Sequence, residues 1–158
     1  MTAISVRGLR KRYGNFTAVD SLDLDVALGE IVAVLGPNGA GKTTTVEVCE
    51  GYRTRDAGEV RVLGVDPAHA DRAWRARVGI VLQTSGFTDE LSVRETVAHF
   101  ASMYDAPYAV DELIDIVGLT EKAETRANDL SGGQQRRLDV AIGVVGKPEL
   151  LFLDEPTT

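Results

Sequence analysis

Cysteine is almost missing from this chain: Cys49 stands alone among 158 residues. No internal disulfide can form, and a reducing, cytosolic setting is expected. Cys49 lies among helix-forming residues and reads as a small buried side chain rather than a nucleophile. Long apolar runs are missing too. None approaches the roughly 20 residues a membrane-spanning helix requires, and Met1-Thr2-Ala3 has none of the features that open a signal peptide. Positive charge is in deficit, with 17 Lys and Arg against 24 Asp and Glu, a net charge of −7. That balance argues against a nucleic-acid surface. Histidine is scarce as well. His69 and His99 have no partners at metal-ligand spacing and are expected to be solvated helix residues. Repeats, low-complexity tracts and flexible linkers are lacking, so one domain with its own core is expected.

What is present centres on Gly36-Pro37-Asn38-Gly39-Ala40-Gly41-Lys42-Thr43-Thr44. The apolar run Ile31-Val32-Ala33-Val34-Leu35 precedes it, and the helix-forming run Thr45 to Glu50 follows. A G-x-x-x-x-G-K-[ST] match set between a strand and a helix is credible as a phosphate cradle. Glycines allow a turn whose N–H groups face inward, and the next helix adds its own unpaired N–H groups and positive dipole end. Lys42 would place a point charge on the β- and γ-phosphates, and the Thr43 hydroxyl could ligate Mg²⁺. The alternative is an ordinary glycine turn; the flanking elements favour the cradle.

The apolar patterning predicts an α/β chain. Residues 4–9 and 22–26 alternate as half-buried strands around the turn Gly14-Asn15. Ile31 to Leu35 is apolar without alternation, which predicts a parallel strand covered on both faces. Gly58 to Leu63 reads as a strand, and a helix is expected from near Pro67 to about Arg77. Val78 to Leu82 reads as a second buried strand, ending at Gln83. Beyond it only helical patterns appear: a capping box at Ser92-Val93-Arg94-Glu95, then Val110, Leu113, Ile114 and Val117 closed by Gly118. Residues 84–130 are therefore expected to form a helical subdomain inserted into a core comprising residues 1–83. Residues 131–158 should return to that core through a helix from Ser131 to about Val145 and the strand Leu150 to Leu153. That strand is continuously apolar and is expected to be central. Only five residues follow it, so the chain is expected to be part of a larger domain.

Two further motifs carry chemistry. Asp154 and Glu155 follow the last strand, where an acidic residue of a P-loop enzyme helps hold Mg²⁺ and its neighbour can polarise an attacking water. Leu130-Ser131-Gly132-Gly133-Gln134-Gln135-Arg136-Arg137 reads first as a helix N-terminus, with Ser131 as cap and Gln134 as capping-box partner. Two glycines in that first turn cost about 1 kcal/mol each relative to alanine. They make sense if something such as a phosphate must approach the backbone closely. Arg136 and Arg137 are expected on a solvated helix face.

The run Leu130 to Gln134 resembles the signature motif of ATP-binding cassette (ABC) proteins, and the whole chain resembles the N-terminal two-thirds of their nucleotide-binding domain. Phosphate loop, signature and Asp154-Glu155 stand in the family's order. The resemblance implies a P-loop (RecA-like) α/β core with an antiparallel β subdomain, a helical subdomain, and the C-terminal part of the core missing. It implies ATP and Mg²⁺ as cofactors. Asn38, Gly39, Ala40, Gly41, Lys42, Thr43 and Thr44 would cradle the phosphates. Tyr13 would stack on adenine, with Val19 completing the base-binding face. Thr43, Gln83 and Asp154 would serve the metal, and Lys42, Gln83 and Glu155 the catalysis. Ser131, Gly132, Gly133 and Gln134 would close the site of a second nucleotide-binding subunit in a head-to-tail dimer.

Gln83 resembles the glutamine that couples metal or lytic water to movement of the helical lobe. The family's D-loop and switch histidine would lie past Thr158, so weak ATP binding and little turnover are expected of this chain. The Leu63-Gly64-Val65-Asp66-Pro67 run, with the wording of the other motifs, is similar to the subgroup serving ABC-2 type drug or small-molecule exporters. Separate transmembrane permease subunits are then implied, docked near residues 84–91 on the cytoplasmic face of the membrane. A soluble ABC ATPase acting on DNA or ribosomes is the alternative. The interval between Lys42 and Asp154 holds no sustained heptads for the long coiled coil of DNA-repair members, and nucleic acid is not expected as a partner.

Overall fold

A computed structural model describes residues 1–82 and 90–154. The chain packs as two compact units, Met1–Trp74 and Arg75–Thr158.

The first unit is built on an antiparallel sheet of order β2-β1-β3, comprising β1 (Thr2–Tyr13), β2 (Phe16–Ala27) and β3 (Ala57–Val62). The β1–β2 hairpin turns at Gly14-Asn15, as the pattern predicts, and both strands are longer than the alternating segments alone indicate. Leu22, Leu24 and Val26 face inward while Ser21, Asp23 and Asp25 face water. Register shifts between Val6 and Leu9 keep Ile4, Val6 and Leu9 all buried in β1. Such a bulge lets the strand slip one residue without turning its apolar face outward. Helix α1 (Lys42–Cys49) buries Thr45, Val48 and Cys49. Trp74 closes this core, its indole N–H donating to the Val62 carbonyl at 2.8 Å.

Two expectations fail here. Residues 31–35 form no strand: Ile31 is fully exposed, Leu35 nearly so, and no described strand pairs with them. An apolar run becomes a buried strand only when neighbours supply both ladder bonds and covering faces. The single helix expected from Pro67 to about Arg77 is instead a 3₁₀ turn at Pro67–His69 and the four-residue helix α2 (Arg72–Arg75). Asp66 caps the first, accepting from the Ala68 N–H at 3.0 Å, and Asp71 caps the second, accepting from the Trp74 N–H at 2.8 Å. Two caps five residues apart start two short turns, with Ala70 extended between them.

The second unit holds a parallel pair, β4 (Val78–Val81) and β5 (Leu150–Leu153), in register from Val78–Leu150 to Val81–Leu153. Arg77 and Glu149 pair at 2.7 Å where the two strands begin. Helices α3 (Val93–Ala101), α4 (Val110–Ile116) and α5 (Gly132–Val144) enclose a core of Val93, Val97, Leu113, Ile114, Leu119, Leu138, Ala141 and Val145. The Ser92/Glu95 capping box forms in full, at 2.8 and 3.2 Å. Arg94 ties the helices together, bonding Glu124 at 2.6 Å and also Asp111. Helix α5 presses close on β4. A Cβ on Gly79 would collide with the Gly143 carbonyl, and one on Gly143 would meet the Val81 side chain at 2.5 Å. Strand β5 forms as expected but is not central among the described residues: Leu150, Leu151 and Phe152 are half-buried and Leu153 is 46% exposed. Among the described residues β4 alone pairs with it, so only one edge of its ladder is filled.

Candidate functional site

The glycine-rich turn before α1 is bridged by its own lysine. Lys42 Nζ donates to the carbonyls of Gly36 at 2.7 Å and Pro37 at 2.8 Å, spanning the turn from inside. Helix α1 begins at Lys42 behind Gly41, which has φ +82°. No side chain caps this end, in contrast to the full capping boxes on α3 and α5. A helix whose first-turn N–H groups lack a side-chain acceptor is prepared for an anion. Gly41 is also required sterically. A Cβ there would strike the Ala18 carbonyl and come within 3.0 Å of Val19 Cγ2. Asn38, Gly39, Ala40 and Thr43 are exposed, and Gly41, Lys42 and Thr44 are half-buried.

Tyr13 and Val19, the residues expected to meet the base, are in the same unit. Tyr13, at the end of β1, pairs with Phe16 across the hairpin and is 40% exposed. Val19 is buried, and its side chain packs against Gly41, so it supports the loop. Two cations flank the Tyr13 ring: Lys11 Nζ at 5.7 Å and the Arg53 guanidinium at 5.3 Å from its centroid.

The remaining site residues belong to the second unit. Ser131 caps α5, accepting from the Gln134 N–H at 3.4 Å, while Gln134 Oε1 accepts from the Ser131 N–H at 2.9 Å. Ser131, Gly132 and Gly133 are exposed and Gln134 half-buried. A Cβ on either glycine would meet nothing within 4 Å, so nothing among the described residues explains two glycines there. Asp154 follows β5, its N–H donating to the Val81 carbonyl at 3.0 Å. Its carboxylate has no hydrogen-bond or ion-pair partner among the described residues. No group of three His, Cys, Asp or Glu side chains among those residues could hold a metal. The Thr43 hydroxyl in the first unit and the Asp154 carboxylate in the second are each hard oxygen donors of the kind Mg²⁺ takes, and Mg²⁺ needs few of them because it keeps waters and phosphate oxygens for its other positions. Gln83 and Glu155 lie outside the described residues.

Arg136 corrects the sequence reading. It is not a solvated side chain: its guanidinium donates to the carbonyl of Leu82, after β4, and to that of Asp154 at 2.8 Å, after β5. Its neighbour Arg137 donates to the Gly118 carbonyl at 3.0 Å. Arg136 thus ties the signature helix to the ends of both strands. Nothing in a two-arginine step announces this, because the acceptors are backbone carbonyls far away in sequence. The histidines behave as expected, with His69 and His99 both exposed.

An uncapped helix start behind a lysine-spanned glycine turn defines a class, the P-loop nucleotide-binding proteins. Within it the exposed serine–glycine start of α5 narrows the choice, and the ABC transporter family model matches residues 19–158: the chain belongs to that family. It is 42% identical over 162 residues to the daunorubicin resistance ATP-binding protein DrrA3 of Streptomyces coeruleorubidus, covering 99% of this chain and 51% of that protein. It is also 42% identical over 161 residues to the Nod factor export ATP-binding protein I of Ralstonia nicotianae, covering 98% and 50%. The chain therefore spans about half the length of these curated relatives. Its fold superimposes on an ATP-binding cassette of an ABC transporter in the ADP conformation with a TM-score of 0.85, at 21% identity, over all of this chain and 70% of that one. A nucleotide-free cassette gives 0.83 with the same coverage and identity. Among the described residues no helix is long and apolar enough to cross a membrane.

Proposed function

We propose that this chain is the ATP-binding and hydrolysing part of an ABC exporter for drugs or other small molecules, working as a head-to-tail pair beneath separate permease subunits on the cytoplasmic face of the membrane. The observation that carries this reading is the contrast between two helix starts. Helix α1 has a lysine and no side-chain cap; α5 has a complete cap and two exposed glycines that nothing among the described residues requires. The first suits a polyphosphate held within one copy, and the second suits a polyphosphate presented by another. The printed names of the relatives, drug resistance and Nod factor export, support the exporter class.

In this reading the N–H groups from Gly39 to Thr44 bind the β- and γ-phosphates, and Lys42 exchanges its loop carbonyls for phosphate oxygens. Tyr13 and Val19 position the adenine. Thr43, Gln83 and Asp154 would hold Mg²⁺, which neutralises phosphate charge when bound. Glu155 orients the water and accepts its proton as it attacks the γ-phosphorus in line. The partner copy's signature helix start faces the same phosphate and stabilises the charge that develops there. One copy alone lacks that half, so the 158-residue chain should bind ATP weakly and turn it over near background.

Complementation between two inactive variants tests the composite site. In the full-length subunit with its permease, Lys42→Ala damages one face of each site and Ser131→Arg the other. Each homodimer has two broken sites, whereas a mixed dimer keeps one whole site. Mixing should restore about a quarter of wild-type turnover if the two sites act independently. No recovery on mixing, with both variants folded and assembled, would exclude the head-to-tail arrangement.

A further inference from the structure

We propose that Arg53, fixed by Glu47 of the phosphate-loop helix, is a positioning residue for the base of the bound nucleotide: it holds the Tyr13 ring at a set distance from the triphosphate cradle. The inference rests on Tyr13 being the base platform. Arg53 follows α1 and is tied to Glu47 twice. Its backbone N–H donates to the Glu47 carbonyl at 3.0 Å, and its side-chain Nε donates to the Glu47 carboxylate at 2.5 Å. Neither side chain is fully solvated; Arg53 is 33% and Glu47 22% exposed. The guanidinium so anchored lies 5.3 Å from the Tyr13 centroid, within the range of a cation–π attraction. Glu47 lies in the same helix whose first residue is Lys42. One rigid segment therefore connects the phosphate-binding lysine to the ring expected to carry the base.

The second cation reinforces the geometry. Lys11 Nζ lies 5.7 Å from the same centroid, its side chain 12% exposed and bonded to Asp56 at 3.2 Å. Both cations are held by carboxylates, so neither needs the ring to satisfy its charge, and neither is free to wander from it. Tyr13 is still 40% exposed, which leaves ring surface for an incoming base. A tyrosine at the end of a hairpin would otherwise sample several rotamers, and a platform that must first be ordered weakens binding by the entropy of ordering it. Arg53 removes that freedom in advance.

The test separates the base from the phosphates by comparing ATP with inorganic tripolyphosphate on the purified full-length subunit, using displacement of a fluorescent nucleotide. Arg53→Ala should weaken ATP about fivefold, the scale of one partly buried cation–π contact, and leave tripolyphosphate affinity unchanged. Glu47→Gln should reproduce part of that loss, and Arg53→Lys should recover part of it. In a Tyr13→Ala background, Arg53→Ala should add nothing further. If Tyr13→Ala weakens ATP but Arg53→Ala does not, the platform stands and the positioning role is wrong. If Arg53→Ala weakens both ligands equally, Arg53 acts on the phosphates or on the fold, and the inference is again wrong. If Tyr13→Ala leaves ATP affinity unchanged, the platform reading fails and takes this inference with it. Far-ultraviolet circular dichroism and the melting temperature confirm that each variant is folded.

Discussion

At the scale of single residues, the side chains that matter divide into those that signal their role by identity and those that acquire it from position. Lys42 and Ser131 belong to the first group, since the roles proposed for them were read from a lysine after a glycine loop and a serine before two glycines. Arg136 and Arg53 belong to the second; both are defined by partners distant in sequence or by a ring in another element. Asp66 lies between them. It stands in the Leu63 to Pro67 run that is similar to one exporter subgroup, and its structural task is plain. The Arg55 guanidinium grips it with two hydrogen bonds, at 2.8 and 2.7 Å. Those bonds, assisted by the Ala68 N–H, pull its carboxyl down to about 2. A depressed carboxylate pKa contributes stability that is complete above the unfolded value near pH 4 and is lost as pH falls toward about 2. Asp66→Asn should therefore be less stable than wild type at neutral pH, and the gap in urea midpoints should close between about pH 4 and pH 2. A gap of constant size across that window would show that the carboxylate's charge is not what matters there. Cys49 is inert for a related reason, its thiol pushed up to about 12 by burial and by the neighbouring Glu50 charge.

At the scale of elements, strand and helix identity followed the apolar period wherever the element buries one face. β1, β2, α3 and α4 all came out close to the expected positions. Two departures share a cause: Ile31 to Leu35, which forms no strand, and Leu150 to Leu153, which is not central among the described residues, carry apolar side chains on both faces and depend on what lies on either side. The split helix at residues 67–75 has a local cause, two aspartate caps competing for one stretch of chain. Helix α5 offers the sharpest test of function against stability. Gly133 lies in its exposed first turn, with space for a Cβ and an ordinary backbone conformation. Gly133→Ala should raise the stability of this chain by up to about 1 kcal/mol, read as a higher denaturant midpoint, and should sharply reduce turnover of the assembled transporter. Unchanged turnover would mean that no ligand needs to approach that backbone.

At the scale of the whole molecule, the permease contact is the remaining expectation. Residues 84–89 of the segment proposed for it lie outside the described residues, but Glu90 is exposed at its end. Glu90→Lys should lower capture of the membrane subunits about tenfold, the scale of a reversed charge at an interface, with an unchanged melting temperature. Normal capture would move the docking surface elsewhere. The amino-acid order by itself determined the family and the two capping boxes, and it carries the motifs on which the proposed phosphate loop and signature rest. Each of these is a short-range pattern whose chemistry needs particular residue types at fixed spacing. Tertiary structure alone decided that Arg136 joins one helix to two strand ends, that Arg53 and Lys11 flank one ring, and that Val19 lies beneath Gly41. Those contacts are set by how separate elements pack, and no periodicity within one element encodes which distant backbone carbonyl or aromatic face will lie beside it.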